Sequence, residues 1–258
     1  MEMKISAVLN TYNASRHLAQ VLERLKCFDE IVVCDMESTD NTMAIAESYG
    51  CKVVTFPKGE YTICEPARNM AIQSASNPWV LVVDADELVP KELADYLYEM
   101  VRSGNCPAGL FIPRKNMVLN RFLKSTYPDY QLRFLKKEGS NWPTTIHSVP
   151  TVDGIVGYVP KRESLAFEHI NVPVSEMITK MNLYTDNECV RRKGIRASVL
   201  KILFWPTFYF FKLYFLKGGF LLGKAGYFLA AHQANYRFYM LMKAYESKAA
   251  ERTPNQNK

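Results

Sequence analysis

Trp79-Val80-Leu81-Val82-Val83-Asp84-Ala85-Asp86-Glu87 passes from an unbroken apolar stretch into three acids within four residues. A short apolar run without polar interruption reads as a strand covered on both faces, as parallel sheets require. Lys4–Asn10, Glu30–Asp35 and Lys52–Phe56 read the same way. Helical patterns separate these strands at about 15–26, 40–49 and 66–75, and another follows at 91–102. Ser15 precedes the first helix, Asp40 is expected to cap the second, and Pro66 and Pro90 suit first-turn positions. The alternation predicts an α/β domain, a mostly parallel sheet with helices on both faces. Ligands of such sheets bind beyond the carboxyl ends of the strands. Polar clusters stand at those ends: Thr11-Tyr12-Asn13, Asp35 through Asp40, and Asp84 through Glu87.

The 258 residues are 48% hydrophobic and 22% charged, ordinary for a chain that buries a core. Six cysteines show no C-x-x-C pair and sit partly inside apolar runs, so they read as small hydrophobes in a reducing compartment. The start, Met1 to Ile5, lacks a basic segment followed by a long apolar one, and the chain is expected to stay in the cytoplasm. From about 107 the pattern becomes loop-rich and mixed, with strands at Ala108–Pro113 and Tyr130–Leu135. The expected division is a domain over 1–175, with a nucleotide-binding half at 1–106 and an acceptor half at 107–175, and a helical region over 176–258.

Charge is divided unequally. Residues 191–258 hold 13 basic side chains against Glu246 and Glu251, while 1–190 hold 19 basic and 24 acidic ones. Fourteen of the 32 aromatic residues fall between Phe204 and Tyr239. The longest uncharged runs there, Ile202–Phe211 and Ala225–Tyr236, are each shorter than the ~20 residues of a spanning helix. Basic residues flanking aromatic helices fit a segment lying in a membrane interface, over residues 199–239. The aromatic stripe fits the core of a helical subdomain as well, and nothing in the basic segment resembles a nucleic-acid reader.

Side chains two apart in an extended segment point the same way, so Asp84 and Asp86 are both expected to face the ligand. Carboxylates suit a hard cation, Mg²⁺ or Mn²⁺, which binds substrate phosphates and neutralises a departing diphosphate. The plainer alternative is a helix start with acids ahead of Pro90. Asp35 ends its strand where a carboxylate meets a base N–H or a ribose hydroxyl, although an ordinary turn explains that cluster too. Arg68, opening a helix, suits diphosphate oxygens; a surface arginine is the alternative.

Leu9 through Asn13, Asp35 through Thr42, Arg68 through Ile72, Trp79 through Glu87, Asp129 through Phe134 and the 214–226 run YFLKGGFLLGKAG belong together. They resemble the family 2 inverting glycosyltransferases of the GT-A (Rossmann-like) fold. The nearest likeness is the bacterial subgroup of lipopolysaccharide core and surface-glycan synthesis, over residues 4–245. The resemblance implies that Thr11, Asp35 and Asp40 line the base and ribose pocket. It implies that Arg68 lies near the diphosphate, that Asp84 contacts nucleotide or sugar, and that Asp86 is the metal ligand. Inverting displacement needs a base within hydrogen-bond reach of the acceptor hydroxyl. Asp129 is the first candidate, His147 the second and Glu87 the third; His169 is expected to be a packing residue. Ser148 stands where the subgroup commonly has Glu, Met36-Glu37 intervene before Ser38, and Leu222 replaces an expected aspartate.

The expected activity moves a sugar from a nucleotide diphosphate-sugar, UDP-sugar favoured, to a membrane-held glycolipid acceptor. The expected setting is the inner face of the cytoplasmic membrane, with peripheral attachment. A catalytically silent nucleotide-sugar-binding scaffold is the rival that Ser148 supports. A nucleotidyltransferase would carry a Gly-rich basic loop after the first strand, and Asn10-Thr11-Tyr12-Asn13 is not one.

Overall fold

The computed structural model describes residues 3–61, 63–124, 127–144, 148–170, 173–191 and 197–252. Two compact units are present, Met1–Asn116 with Thr126–Ile170, and Met117–Ser125 with Asn171–Lys258.

The first unit begins β1 (Ile5–Thr11), α1 (Ser15–Leu25), β2 (Glu30–Asp35), α2 (Thr42–Ser48), β3 (Lys52–Thr55), α3 (Glu65–Ser74), β4 (Trp79–Asp84). It continues with β5 (Glu87–Leu88), α4 (Lys91–Arg102), β6 (Gly109–Ile112), β7 (Arg114–Val118), which crosses into the second unit, β9 (Gln131–Lys136), β10 (Val156–Tyr158) and β11 (Phe167–His169). Seven strands form one sheet in the order β10-β6-β9-β4-β1-β2-β3. The run β4-β1-β2-β3 is parallel, β10 is parallel to β6, and β9 is antiparallel to both of its neighbours. The mostly parallel α/β architecture is therefore as expected.

Period-two alternation divides each central strand between two cores. Ile5, Ala7 and Leu9, with Leu81 and Val83, meet α1 and α4 on one face. Val8, Val80 and Val82 meet Ala67, Ala71 and Ile72 of α3 on the other. Burial on both faces is why β4 carries no polar residue until it ends.

The helix starts differ from expectation in detail. Ser15 is the first residue of α1 and makes no side-chain cap. Asp40 lies one position before the N-cap of α2, yet it accepts the Thr42 N–H at 3.0 Å and the Ser15 N–H at 3.1 Å. One carboxylate thereby ties down two helix starts. Pro66 is in the first turn of α3, whereas Pro90 sits just ahead of α4 at φ −66°. A second, small sheet sets β11 antiparallel to β5 and parallel to β7.

The second unit holds the hairpin of β7 with β8 (Arg121–Phe122), then α5 (Val174–Arg191), α6 (Val199–Phe211) and α7 (Lys224–Arg252). Lys243 of α7 fastens α5 through Asp186 at 2.6 Å, the Asn182 carbonyl at 2.9 Å and Thr185 Oγ1 at 2.9 Å. A π-helical turn, Lys212–Leu216, carries α6 past Lys212 and adds Leu213–Leu216 to the uncharged run Ile202–Phe211. The resulting stretch Val199–Leu216 has mean hydropathy 1.3 and no buried residue; by length and composition it is able to cross a membrane. Pro206 lies inside α6. Gly219, in a 3₁₀ turn, touches Gly226 of α7 so closely that a Cβ on Gly226 would meet the Gly219 carbonyl oxygen at 1.8 Å.

Candidate functional site

Thr11 and Asp35 end adjacent parallel strands and are register partners. Thr11 Oγ1 donates to Asp35 Oδ1 at 2.8 Å, and Ser38 gives Asp35 both its hydroxyl at 2.6 Å and its N–H at 2.8 Å. Asn13, in the left-handed region at φ 49° that asparagine tolerates, donates its N–H to Ser38 Oγ and accepts the Thr39 N–H, both at 2.8 Å. The loops after β1 and β2 thus form a clasp, with Asp40 bonding on its outer side. Burial opposes ionisation of Asp40, but the bonds from Ser15 and Thr42 hold its carboxyl well below the usual range. Tyr12 stays exposed at the mouth, with Lys58 Nζ 4.8 Å from its ring centre.

Asp84 ends β4 beside Asn10, its register partner on β1. Arg133 of β9 reaches Asp84 Oδ2 at 2.6 Å and Arg68 of α3 reaches Oδ1 at 2.8 Å. Burial alone would raise the Asp84 carboxyl; the two guanidinium charges hold it far below the usual range. Trp142 closes this cluster, its ring centre 4.5 Å from the Arg68 guanidinium and 5.5 Å from that of Arg133. Asn69 fixes the tryptophan by accepting its N–H at 2.7 Å and donating to its carbonyl at 2.7 Å. Two arginines against one carboxylate leave positive charge in excess. Arg68 is only 5% exposed, and its Nε and Nη1 have no partner among the described residues. The Trp142 Nε1 and both side-chain heteroatoms of Asn10 are likewise buried and unpartnered. Orphaned buried groups are costly, and this set suits a polar, anionic ligand.

Asp86 does not share the surroundings of Asp84. The strand ends at Asp84 and residues 85 and 86 form a turn, so the period-two rule stops applying there. Asp86 Oδ2 instead lies 3.2 Å from His169 Nε2. The histidine is brought there by pairing of β11 with β5, His169 opposite Glu87, and by the Ile170 N–H bond to the Asp86 carbonyl at 2.8 Å. Burial works to lower the His169 pKa, but the Asp86 bond and charge leave it raised. Among the described residues no group of three or more potential metal ligands gathers.

Glu87 is fully buried and accepts the Asp84 N–H at 3.1 Å and Arg114 Nη1 at 3.1 Å. Arg114 continues to Asp129 Oδ2 at 2.7 Å, which also accepts from Asn116 at 2.8 Å; Gln131 donates to Oδ1 at 3.1 Å. Burial would raise the Asp129 carboxyl, and the bonds from Asn116 and Arg114 lower it overall. A carboxylate so engaged is a weak base, and Glu87 is sealed from any acceptor. His147 lies outside the described residues. The geometry therefore brings Thr11 with Asp35, and Arg68 with Asp84, and leaves Asp86 with His169. Sequence reasoning set aside His169 and passed over Trp142 and Asn10. The available signals were a histidine ending a short strand and a polar residue closing an apolar one.

The family profile described as glycosyl transferase family 2 matches residues 6–154. An uncharacterised glycosyltransferase of Rickettsia conorii is 29% identical, over 95% of this chain and 90% of its own length. The lipopolysaccharide core biosynthesis glycosyltransferase LpsC of Rhizobium meliloti is 26% identical, over 98% of this chain and 96% of its own. Residues 1–349 of Staphylococcus aureus TarS superpose with a TM-score of 0.50 at 18% identity, over 95% of this chain and 92% of that one, a likeness of fold. With its parallel sheet and the polar clusters at the strand ends, the chain belongs to glycosyl transferase family 2.

Proposed function

We propose that the chain transfers a sugar from a nucleotide diphosphate-sugar, with UDP-sugar favoured, to a membrane-held glycolipid acceptor, inverting the anomeric configuration. The setting is lipopolysaccharide core or related surface-glycan synthesis at the inner face of the cytoplasmic membrane, in keeping with the lipopolysaccharide core biosynthesis role of the relative LpsC. The observation that carries this reading is the Arg68–Asp84–Arg133 cluster. Positive charge in excess and buried donors without acceptors stand beside the Thr11–Asp35 clasp.

In this reading Thr11, Asp35 and the clasp that Asp40 secures receive base and ribose, with exposed Tyr12 as a stacking face. Arg68 and Asn10 offer their unused atoms to the diphosphate and sugar, and Asp84 keeps both arginines oriented. Asp86 and His169 fit a divalent cation, Mg²⁺ or Mn²⁺: one carboxylate oxygen and one imidazole nitrogen meet at 3.2 Å, both partly solvent-facing, leaving the remaining positions to phosphate oxygens and water. Such an ion neutralises charge on the leaving diphosphate. Asp129 is assigned to positioning Arg114 and, through it, Glu87. The acceptor proton is assigned to His147, and Asp129→Asn against His147→Ala separates the two, since only loss of the base removes kcat while sparing donor binding.

Residues 199–239 supply the membrane contact. The helical stretch Val199–Leu216 has no buried residue, and no acid occurs from Cys189 to Tyr245. The deciding experiment is thermal unfolding with UDP, GDP and nucleotide-sugars, each with and without Mn²⁺. A ligand bound by the native state alone raises the midpoint. A metal-dependent shift for one nucleotide supports the donor site. Absence of any shift transfers the reading to a scaffold without donor chemistry.

A further inference from the structure

The proposed mechanism makes no use of Arg237, whose surroundings in the second unit are unusual. Its guanidinium lies 4.4 Å from the ring centre of Tyr209 and 4.9 Å from that of Tyr236. Lys212 Nζ lies 5.6 Å from the same Tyr209 ring. Two cations therefore share one aromatic ring, and among the described residues neither has a carboxylate partner. None is available nearby in sequence, because the chain holds no acid between Glu188 and Glu246. The Arg237 Nε is buried with no acceptor among the described residues. Ring faces attract cations but do not neutralise them, and a buried donor without a partner is unfavourable.

Apolar surface adjoins this charge. Phe208 and Phe211, flanking Tyr209, are both more than half exposed, and with Leu200, Phe204 and Trp205 they line a groove of about 690 Å³ along α6. A site offering two uncompensated cations next to exposed phenyl rings matches one ligand that is anionic at one end and hydrocarbon at the other. We propose that Tyr209, Lys212 and Arg237 bind the phosphate of an anionic phospholipid headgroup while the phenylalanines of α6 enter the acyl region. The inference rests on the membrane contact proposed above and deepens it, replacing diffuse attraction by a defined headgroup site. Arginine is suited to this task, since its planar fork contacts phosphate while stacked on an aromatic ring.

The test is sedimentation of the full chain with two vesicle types, phosphatidylcholine alone and phosphatidylcholine with phosphatidylglycerol at three to one. The wild type is expected to favour the mixed vesicles by tenfold or more. Each of Lys212→Gln and Arg237→Gln should reduce that preference about fivefold, as expected for a charge at the surface, with binding to neutral vesicles unchanged. Arg237→Lys, which keeps the charge but loses the planar fork, should fall between the wild type and Arg237→Gln, and this variant guards against a mere folding defect. Lys217→Gln and Lys224→Gln, neither of which lines the groove, serve as controls. Equal losses from the controls would overturn the site in favour of general basicity while leaving membrane contact standing. A wild type that binds neither vesicle would sink the membrane contact itself.

Discussion

The two units of this chain handle unfavourable surface in opposite ways. The first buries charge and answers it with neighbours: Asp84 with Arg68 and Arg133, Glu87 with Arg114, Asp35 with Thr11 and Ser38. The second leaves apolar surface bare, with α6 holding no buried residue. A buried, answered charge signals preorganisation for a small polar ligand. A bare apolar helix signals a partner that the chain alone does not provide. The contrast separates chemistry from attachment, and each half of it is open to experiment.

The largest expected effect lies in the first unit. Asp86→Asn should reduce turnover on the order of a thousandfold, the equivalent of several kcal/mol of transition-state charge stabilisation, without moving the unfolding midpoint. Steady-state assays beside thermal melts measure both, and full activity would remove Asp86 from the mechanism. Next is Asp84→Ala, which strands two buried guanidiniums. Breaking a buried pair costs about 3–5 kcal/mol, so the midpoint should drop by roughly 10 °C; a negligible drop would show that the cluster is not a structural keystone.

Gly226→Ala tests the second unit. Overpacking against the Gly219 carbonyl should destabilise it by about 1–3 kcal/mol or more. Proteolysis should then begin within residues 212–230 while the nucleotide-induced shift of the first unit persists. Simultaneous loss of that shift would mean that the two units do not behave separately. The smallest effect concerns Asp129. Its folded pKa is lowered, so its contribution is present above the unfolded value of about 3.9 and fades as pH falls through the folded value. Asp129→Asn should therefore lower stability at neutral pH and flatten the loss as pH falls below about 4. An unchanged acid limb would show that the Arg114 pairing adds nothing.

Legibility followed the same division. β2 and β4 match their expected bounds because an apolar run ended by aspartate leaves little freedom in placing a doubly covered strand. Arg68, Asp84 and Asp35 were visible because local order puts them at strand ends and a helix start. The Asp86–His169 pair was not, since its members are 83 residues apart and meet only through β5–β11 pairing. The expectation that Asp84 and Asp86 both face the ligand rested on alternation, which does not extend through the turn at residues 85 and 86. In α6 hydropathy was silent on the decisive point. A buried stripe and a bare one have the same composition, and only the fold shows that Phe204 and Phe208 have nothing over them.

The clasp between the loops after β1 and β2 bears on how this fold diversifies. Asn13 reads Ser38 and Thr39, Thr11 reads Asp35, and Asp40 answers Ser15, so residues from three loop positions are mutually specified. A chimera that exchanged one loop alone would leave several donors and acceptors facing the wrong side chains. Residues 11–42 thus form a natural unit of recombination, and a transplant of nucleotide preference between relatives has to carry them as a block.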